Sequence, residues 1–346
     1  MWVGGHRVKT LSLSLVAFVA TIGVARAESG TTVKGFAPYH SASAWARDLV
    51  APKPMEPVRL VRSPYLTSEK FDPASYSAGR FVDQSRSIPL ELGIAAGTIA
   101  VVGLGGWHWR DSKFHFETDC WFCADTHTGG VDKAGHMFTG YLITDLLAQR
   151  IKANAADPAG AEITAAIYAM GLMTGIEVLD GFTKKYGFSK QDLAADAIGV
   201  ALGIARNVVP GMREKIDFRI MYTPSSYERP GVGPDHFQVI PPYNRTRYIA
   251  AIKASGFEFL QDTPLRYFEL HAGFDARGYT SKERNLGYPK EQNLYIGFGL
   301  NLNELLFGKG SLPNFAAHRD TEWAWAVSNT LERVQIPYTS VYNGRN

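Results

Sequence analysis

Residues 266–279 read RYFELHAGFDARGY. Phe268, Leu270, Ala272, Phe274 and Ala276 alternate with Glu269, His271, Asp275 and Arg277, the period-two signature of a strand with one apolar and one polar face. Further on, LYIGFGLNLNELLF (294–307) alternates in the same way, and TRYIAAIKASGFEFL (246–260) does so more faintly. Together they predict an antiparallel β unit over 240–308. Three strands do not close a barrel, so the apolar face is expected to need helices, lipid or a partner.

Upstream the period is helical. Apolar runs rich in Ala and Gly predict helices over 133–151, 161–181 and 190–209, the last stopped by Pro210-Gly211. Before them IPLELGIAAGTIAVVGLGGW (88–107) carries one charge, Glu91, and reads as the strongest membrane-span candidate. Basic residues flank every connection, so the positive-inside rule gives no orientation. The expected fold class is α+β: a small bundle of about four helices over 87–215, set in or beneath a membrane, followed by the β unit. A C-terminal amphipathic helix within 318–346, DTEWAWAVSNTLERV, is expected to start with Asp320 as N-cap. Residues 28–86, rich in Pro, Ser and Tyr, read as an extended polar arm.

Residues 1–27 have the three parts of a secretory signal peptide: basic start, apolar core and the small-x-small site Ala25-Arg26-Ala27. An exported protein of the periplasm or cell envelope is expected. No cysteine follows the cleavage site, so a lipobox anchor is not expected. Removing Arg7, Lys9 and Arg26 takes the bases from 36 to 33, against 33 acids, and a mature chain of zero net charge gives no electrostatic case for nucleic acid. Cys120 and Cys123, the only cysteines, read as a local disulfide in an oxidising compartment; with Asp125 and His127 they form an alternative zinc-ligand set.

The helices carry ionisable residues beside glycine. Asp132 and His136 share a face at spacing four, Glu177 and Asp180 follow at spacing three, and Asp192, Asp196, Gly199 and Gly203 form a stripe. One histidine with several carboxylates suits a divalent metal, with His136, Glu177 and Asp196 as ligands. The same set with Asp192 also suits metal-free acid–base catalysis. The structural reading of these residues is equally concrete. Asp132 stands where an N-cap belongs after Gly129-Gly130, and Ser189-Lys190-Gln191-Asp192 is close to a capping box. Lys133, Asp180 and Ser189 then belong to a polar network that holds the bundle together.

The runs TGGVDKAGHMFTGY (128–141) and GIEVLDGFTKKYGFSKQDLAADAIGVALG (175–203) resemble the YfiM-like family of predicted periplasmic or envelope lipoproteins, a domain of unknown function. The pattern D-K-x-x-H, E-x-x-D-G, G-F-S-x-x-D and D-x-x-G falls on Asp132, Lys133, His136; Glu177, Asp180, Gly181; Gly187, Phe188, Ser189, Asp192; and Asp196, Gly199. The resemblance covers about 128–210. A fainter similarity of layout links it to the VanZ-like membrane proteins. The resemblance implies an envelope location and these residues, and no reaction.

Three functions follow as expectations. The first is a membrane-associated structural or interaction factor, with membrane lipid or an envelope protein as partner. The second is a hydrolase acting on an envelope lipid or glycan headgroup, with a metal or carboxylates at its centre. The third is a binding protein for an amphipathic envelope ligand seated between bundle and strands.

Overall fold

The computed structural model describes residues 76–105, 109–118, 120–222, 243–308 and 321–343. The signal peptide, the arm up to residue 75 and Asp320 lie outside the described residues. The part of the arm that is described is not extended: Ala78–Arg86 forms helix α1, capped by the Ser77 hydroxyl. The chain is mixed helix and sheet. Helices α2 (Pro89–Gly105), α3 (Val131–Asn154), α4 (Ala161–Asp180) and α5 (Lys190–Val208) form the helical layer. A two-residue parallel pair joins β1 (Phe116–Glu117) to β2 (Phe188–Ser189). After the short α6 (Met212–Lys215) come β3 (Ile216–Tyr222), β4 (Thr246–Lys253), β5 (Phe268–Arg277), α7 (Ser281–Asn285), β6 (Glu291–Leu300), α8 (Leu302–Phe307), α9 (Glu322–Leu331) and β7 (Ser340–Tyr342).

Helix α3 is the axis of the molecule. One side packs on α4 and α5 through Ile143, Leu147, Ala165, Ala169, Met173 and Val200. The other side presents Phe138 and Tyr141 to Ile220 and Tyr248 of the sheet. Ala161, Ala165 and Ala169 recur every fourth residue and are fully buried, so small side chains let α4 approach closely.

The membrane-span candidate at 88–107 is shorter than the sequence suggests. Helix α2 is 17 residues long, its Glu91 is buried against Arg150 at 2.6 Å, and Trp109 folds back on Gly103. Among the described residues, α4 alone is long and apolar enough to cross a membrane, while α1 and α2 meet that test only as a pair bent by 81°.

The five strands run in the order β3-β4-β5-β6-β7, all neighbours antiparallel. One segment serves both edges. Ile220 of β3 exchanges backbone hydrogen bonds with Arg333 and Gln335, and β7, a few residues on, pairs with Gly297–Gly299 of β6. The sheet therefore curls into a small barrel, which the three strands read from sequence could not form. The polarity of its wall is inverted relative to a soluble sheet. Inside, Arg219 bonds Glu269 at 2.7 Å, Lys253 bonds Asp217 at 2.8 Å, and His271 lies 3.1 Å from both Glu269 and Tyr342. Met221, Ile249, Ala251 and Tyr295 share this interior with the charged groups, while the alternate apolar positions point outward, where helix α3 covers Phe218 and the row Ile220–Tyr248–Phe274.

The last helix starts one residue later than expected: Thr321 is the N-cap, its hydroxyl accepting from the Ala324 amide.

Candidate functional site

The helical layer brings the polar residues to one place. Helix α3 begins at Val131 with Gly130 as N-cap in the left-handed region at φ 77°. Asp132 is thus not the cap; the two glycines carry the turn, and its carboxylate lies in the first helical turn. There it accepts from the Thr128 hydroxyl at 2.6 Å and from Lys133 at 3.0 Å. Lys133 is fully buried and also lies 2.7 Å from Asp192. One turn along α3, His136 places Nδ1 2.9 Å from Asp196 Oδ1 and 3.7 Å from Glu177 Oε1, and Nε2 4.0 Å from Asp192 Oδ1.

Local chemistry fixes each partner. Ser189 is the N-cap of α5: its hydroxyl accepts from the Asp192 amide at 3.1 Å, and its own amide donates to Glu177 Oε2 at 3.1 Å. The cap therefore joins the end of α4 to the start of α5. Helices α3 and α5 meet at glycines. A methyl group at Gly140 would lie 2.7 Å from the Asp196 carbonyl, and one at Gly199 would collide with the Met137 backbone. This close approach sets Asp196 against His136.

Asp180 is at the margin, accepting from the Trp109 indole at 2.7 Å. Cys120 and Cys123 are joined as a disulfide, so neither is a thiolate ligand and the zinc set with Asp125 and His127 is not formed. Three neighbours were not legible as site residues. Thr128 holds Asp132, Trp109 holds Asp180, and Tyr243, ahead of β4, packs its ring over Gly135. No motif marks Tyr243, which reaches the site only because the barrel docks on α3.

Residues 118–208 match the model of a family described as "Predicted periplasmic lipoprotein (DUF2279)". The match contains α3, α4 and α5 with His136, Glu177, Asp192 and Asp196, leaves out Trp109 and Tyr243, spans well under half of the chain, and ends before the barrel. It agrees with an exported envelope protein of an uncharacterised family. No curated protein and no solved structure matches the chain. The expectation about a lipobox falls on residues outside the described ones.

The electrostatics follow from the count of charges. Among the described residues, the carboxylates of Asp132, Glu177, Asp192 and Asp196 face the bases Lys133 and His136. Burial opposes the charged imidazolium, but the Asp196 hydrogen bond and the surrounding carboxylates outweigh it and raise His136 to about 10. Burial pushes Glu177 up to about 8, opposed by His136, and raises Asp196 in the same direction. Burial also lifts Asp180 to about 6, opposed by the Trp109 hydrogen bond.

These shifts have one sign for stability. His136, raised from 6.5 to about 10, stabilises fully below its unfolded value and loses that contribution as pH rises through 10. Glu177, raised from 4.5 to about 8, is a carboxyl whose protonated form the fold prefers, so it too costs stability as pH rises above 4.5. At neutral pH the metal-free fold holds more protons than the unfolded chain. Its thermal midpoint is expected to fall steadily between about pH 6 and pH 9, and His136→Gln with Glu177→Gln to flatten that slope. A midpoint that rises over this range would contradict the assignment.

Proposed function

We propose that this is an exported envelope protein whose helical layer holds a divalent cation at His136, Glu177 and Asp196, forming a hydrolytic centre for a headgroup ester or amide. One observation carries the reading. Ligand atoms of these three residues lie within 4.8 Å of one another, and the second oxygen of Asp196, buried, has no hydrogen-bond partner. A buried carboxylate oxygen left unpaired is costly, and a cation is a chemically suitable partner. The donor set, one imidazole and two carboxylates, suits a borderline or hard divalent ion. Once deprotonated, the four carboxylates would exceed the two bases, and such an ion would offset that excess.

Three protein ligands leave room for substrate or water, and a bound cation would supply Lewis acidity to a phosphoryl or carbonyl oxygen. Around it the chain's own residues have separable tasks. Asp196 orients His136, Ser189 orients Glu177 through its amide, and Asp192, at the partly exposed side of His136, is placed to take a proton from water. The arrangement fits the D-K-x-x-H and G-F-S-x-x-D pattern of the YfiM-like resemblance.

A second reading has its own observation. Lys133 bridges Asp132 and Asp192 while Ser189 caps α5, which is how a purely structural polar network would look. Metal content separates the two. The untagged protein, dialysed against trace divalent ions, is expected to carry about one ion per chain, and Asp196→Asn to lose it with the metal-free fold no less stable. An ion-free wild type, with Asp196→Asn destabilised by about 1–3 kcal/mol, would leave the network structural.

A further inference from the structure

The barrel wall that α3 leaves uncovered is apolar across the whole sheet. Register places Ile216, Ile252, Leu270, Phe298 and Val341 in one row across all five strands, and each is exposed. The neighbouring positions Ile296 and Leu294 on β6 are more than half exposed, at 56 % and 75 %. None of these outward positions carries a charge, whereas the inward positions Asp217, Arg219, Lys253, Glu269 and His271 are buried and ionisable or charged.

The end of the barrel beyond this row continues the pattern. The link from β4 to β5 exposes Phe259 and Leu265, helix α8 after β6 exposes Leu305, and the approach to β7 exposes Tyr338. All four lie at the same end, where β4 and β6 finish and β5 and β7 begin. Apolar wall and apolar tip are therefore contiguous in topology.

We propose that this wall and tip insert into the acyl region of a lipid membrane, with the barrel lying against one leaflet. Hydrocarbon tolerates a sheet only where its backbone groups are paired, and here residues 333–342 bond Ile220 of β3 on one side and Gly297–Leu300 of β6 on the other. An outer wall without charge around an interior that holds Asp217, Arg219, Lys253, Glu269 and His271 beside Met221, Ile249 and Tyr295 shares the uncharged outer face of barrels that meet lipid. A second copy is the poorer occupant. Five strands at about 4.8 Å spacing and about 20 Å of strand give a patch on the order of 400 Å2, half of the roughly 800 Å2 per partner of a stable interface. The wall is also convex, so two copies would touch along a line.

The test uses the full chain with vesicles of phosphatidylethanolamine and phosphatidylglycerol. Phe298→Cys, labelled with an environment-sensitive fluorophore, is expected to shift to the blue with vesicles and to be quenched by nitroxides placed on the acyl chains. The same label at Lys282, past the opposite end of β5, should not respond. The shift should persist in molar salt, since apolar burial drives it. The triple variant Leu294→Thr, Ile296→Thr, Phe298→Thr should partition into vesicles at least about tenfold less, with unchanged circular dichroism. No acyl quenching at position 298 would overturn the proposal, and so would a shift that appears without vesicles together with a dimer in light scattering. If the triple variant fails to fold, the label at 298 alone decides.

Discussion

Replacing Asp145 by alanine is expected to destabilise the protein by about 3–5 kcal/mol, because it strands buried positive charge. Asp145 sits on α3 and is fully buried. Its carboxylate pairs with Arg333, beyond α9, and with Arg213 of α6, and it accepts from Asn207 of α5 at 2.8 Å. Arg206, also near it, reaches on to Asp217 at 2.7 Å and Glu332 at 2.8 Å. One side chain thus joins the helical layer to the segment that closes the barrel. Burial alone would raise this carboxyl, but Arg213, Arg333 and Arg206 hold it well below the ordinary aspartate range. For a depressed acid, the stabilisation is present above the unfolded value near 3.8 and is lost as pH falls through the folded one. Urea unfolding at neutral pH should show the loss directly. Asp145→Leu combined with Arg333→Met should recover part of it, since Arg333 is no longer stranded while Arg213 and Arg206 keep Glu332 and Asp217. A single variant within about 0.5 kcal/mol of wild type would show that the network is solvated and contributes little.

That network also marks where reading the sequence stops. Asp145 and Arg333 are 188 residues apart, and no local pattern announces such a pair. The helices were legible because their period and breakers are local. Sequence places them at 133–151, 161–181 and 190–209, and they run Val131–Asn154, Ala161–Asp180 and Lys190–Val208. The grouping of the candidate residues was legible for the same reason, since Asp132 with His136, Glu177 with Asp180, and Asp192 with Asp196 are pairs at helical spacing, two of them on the helices whose glycines let α3 and α5 meet. Strand alternation says that two faces differ and is silent on which faces the solvent. RYFELHAGFDARGY gave both faces of β5, yet the polar one is inside because Glu269, His271 and Asp275 find partners contributed by β3, β4 and the C-terminal segment. Strand β3 went unread although Ile216, Phe218 and Ile220 alternate with Asp217 and Arg219, because it is short and follows directly on α6.

Gly199→Ala is expected to cost about 3 kcal/mol and, on the proposed function, to weaken cation binding as well. An added methyl group there would run into the Met137 carbonyl, which is backbone and cannot swing aside. Relief requires α5 to move away from α3, and that movement carries Asp196 away from His136, now 2.9 Å apart. Gly140→Ala works from the opposite helix, with its methyl group 2.7 Å from the Asp196 carbonyl. The contrast lies on α4. Gly171 and Gly175 have nothing within 4 Å of an added methyl group, so alanine at either should stabilise by about 0.5–1 kcal/mol through helix propensity alone. The four variants can be compared by chemical denaturation and by titration with a divalent ion. The expected pattern is loss of stability at Gly140 and Gly199, gain at Gly171 and Gly175, and weaker ion binding only in the first pair. Equal effects at all four positions would mean that the α3–α5 contact is no tighter than an ordinary helix surface. A stability loss at Gly199 with ion uptake unaltered would separate the packing of these helices from the chemistry between them, because a site held by that contact cannot stay assembled once the contact opens.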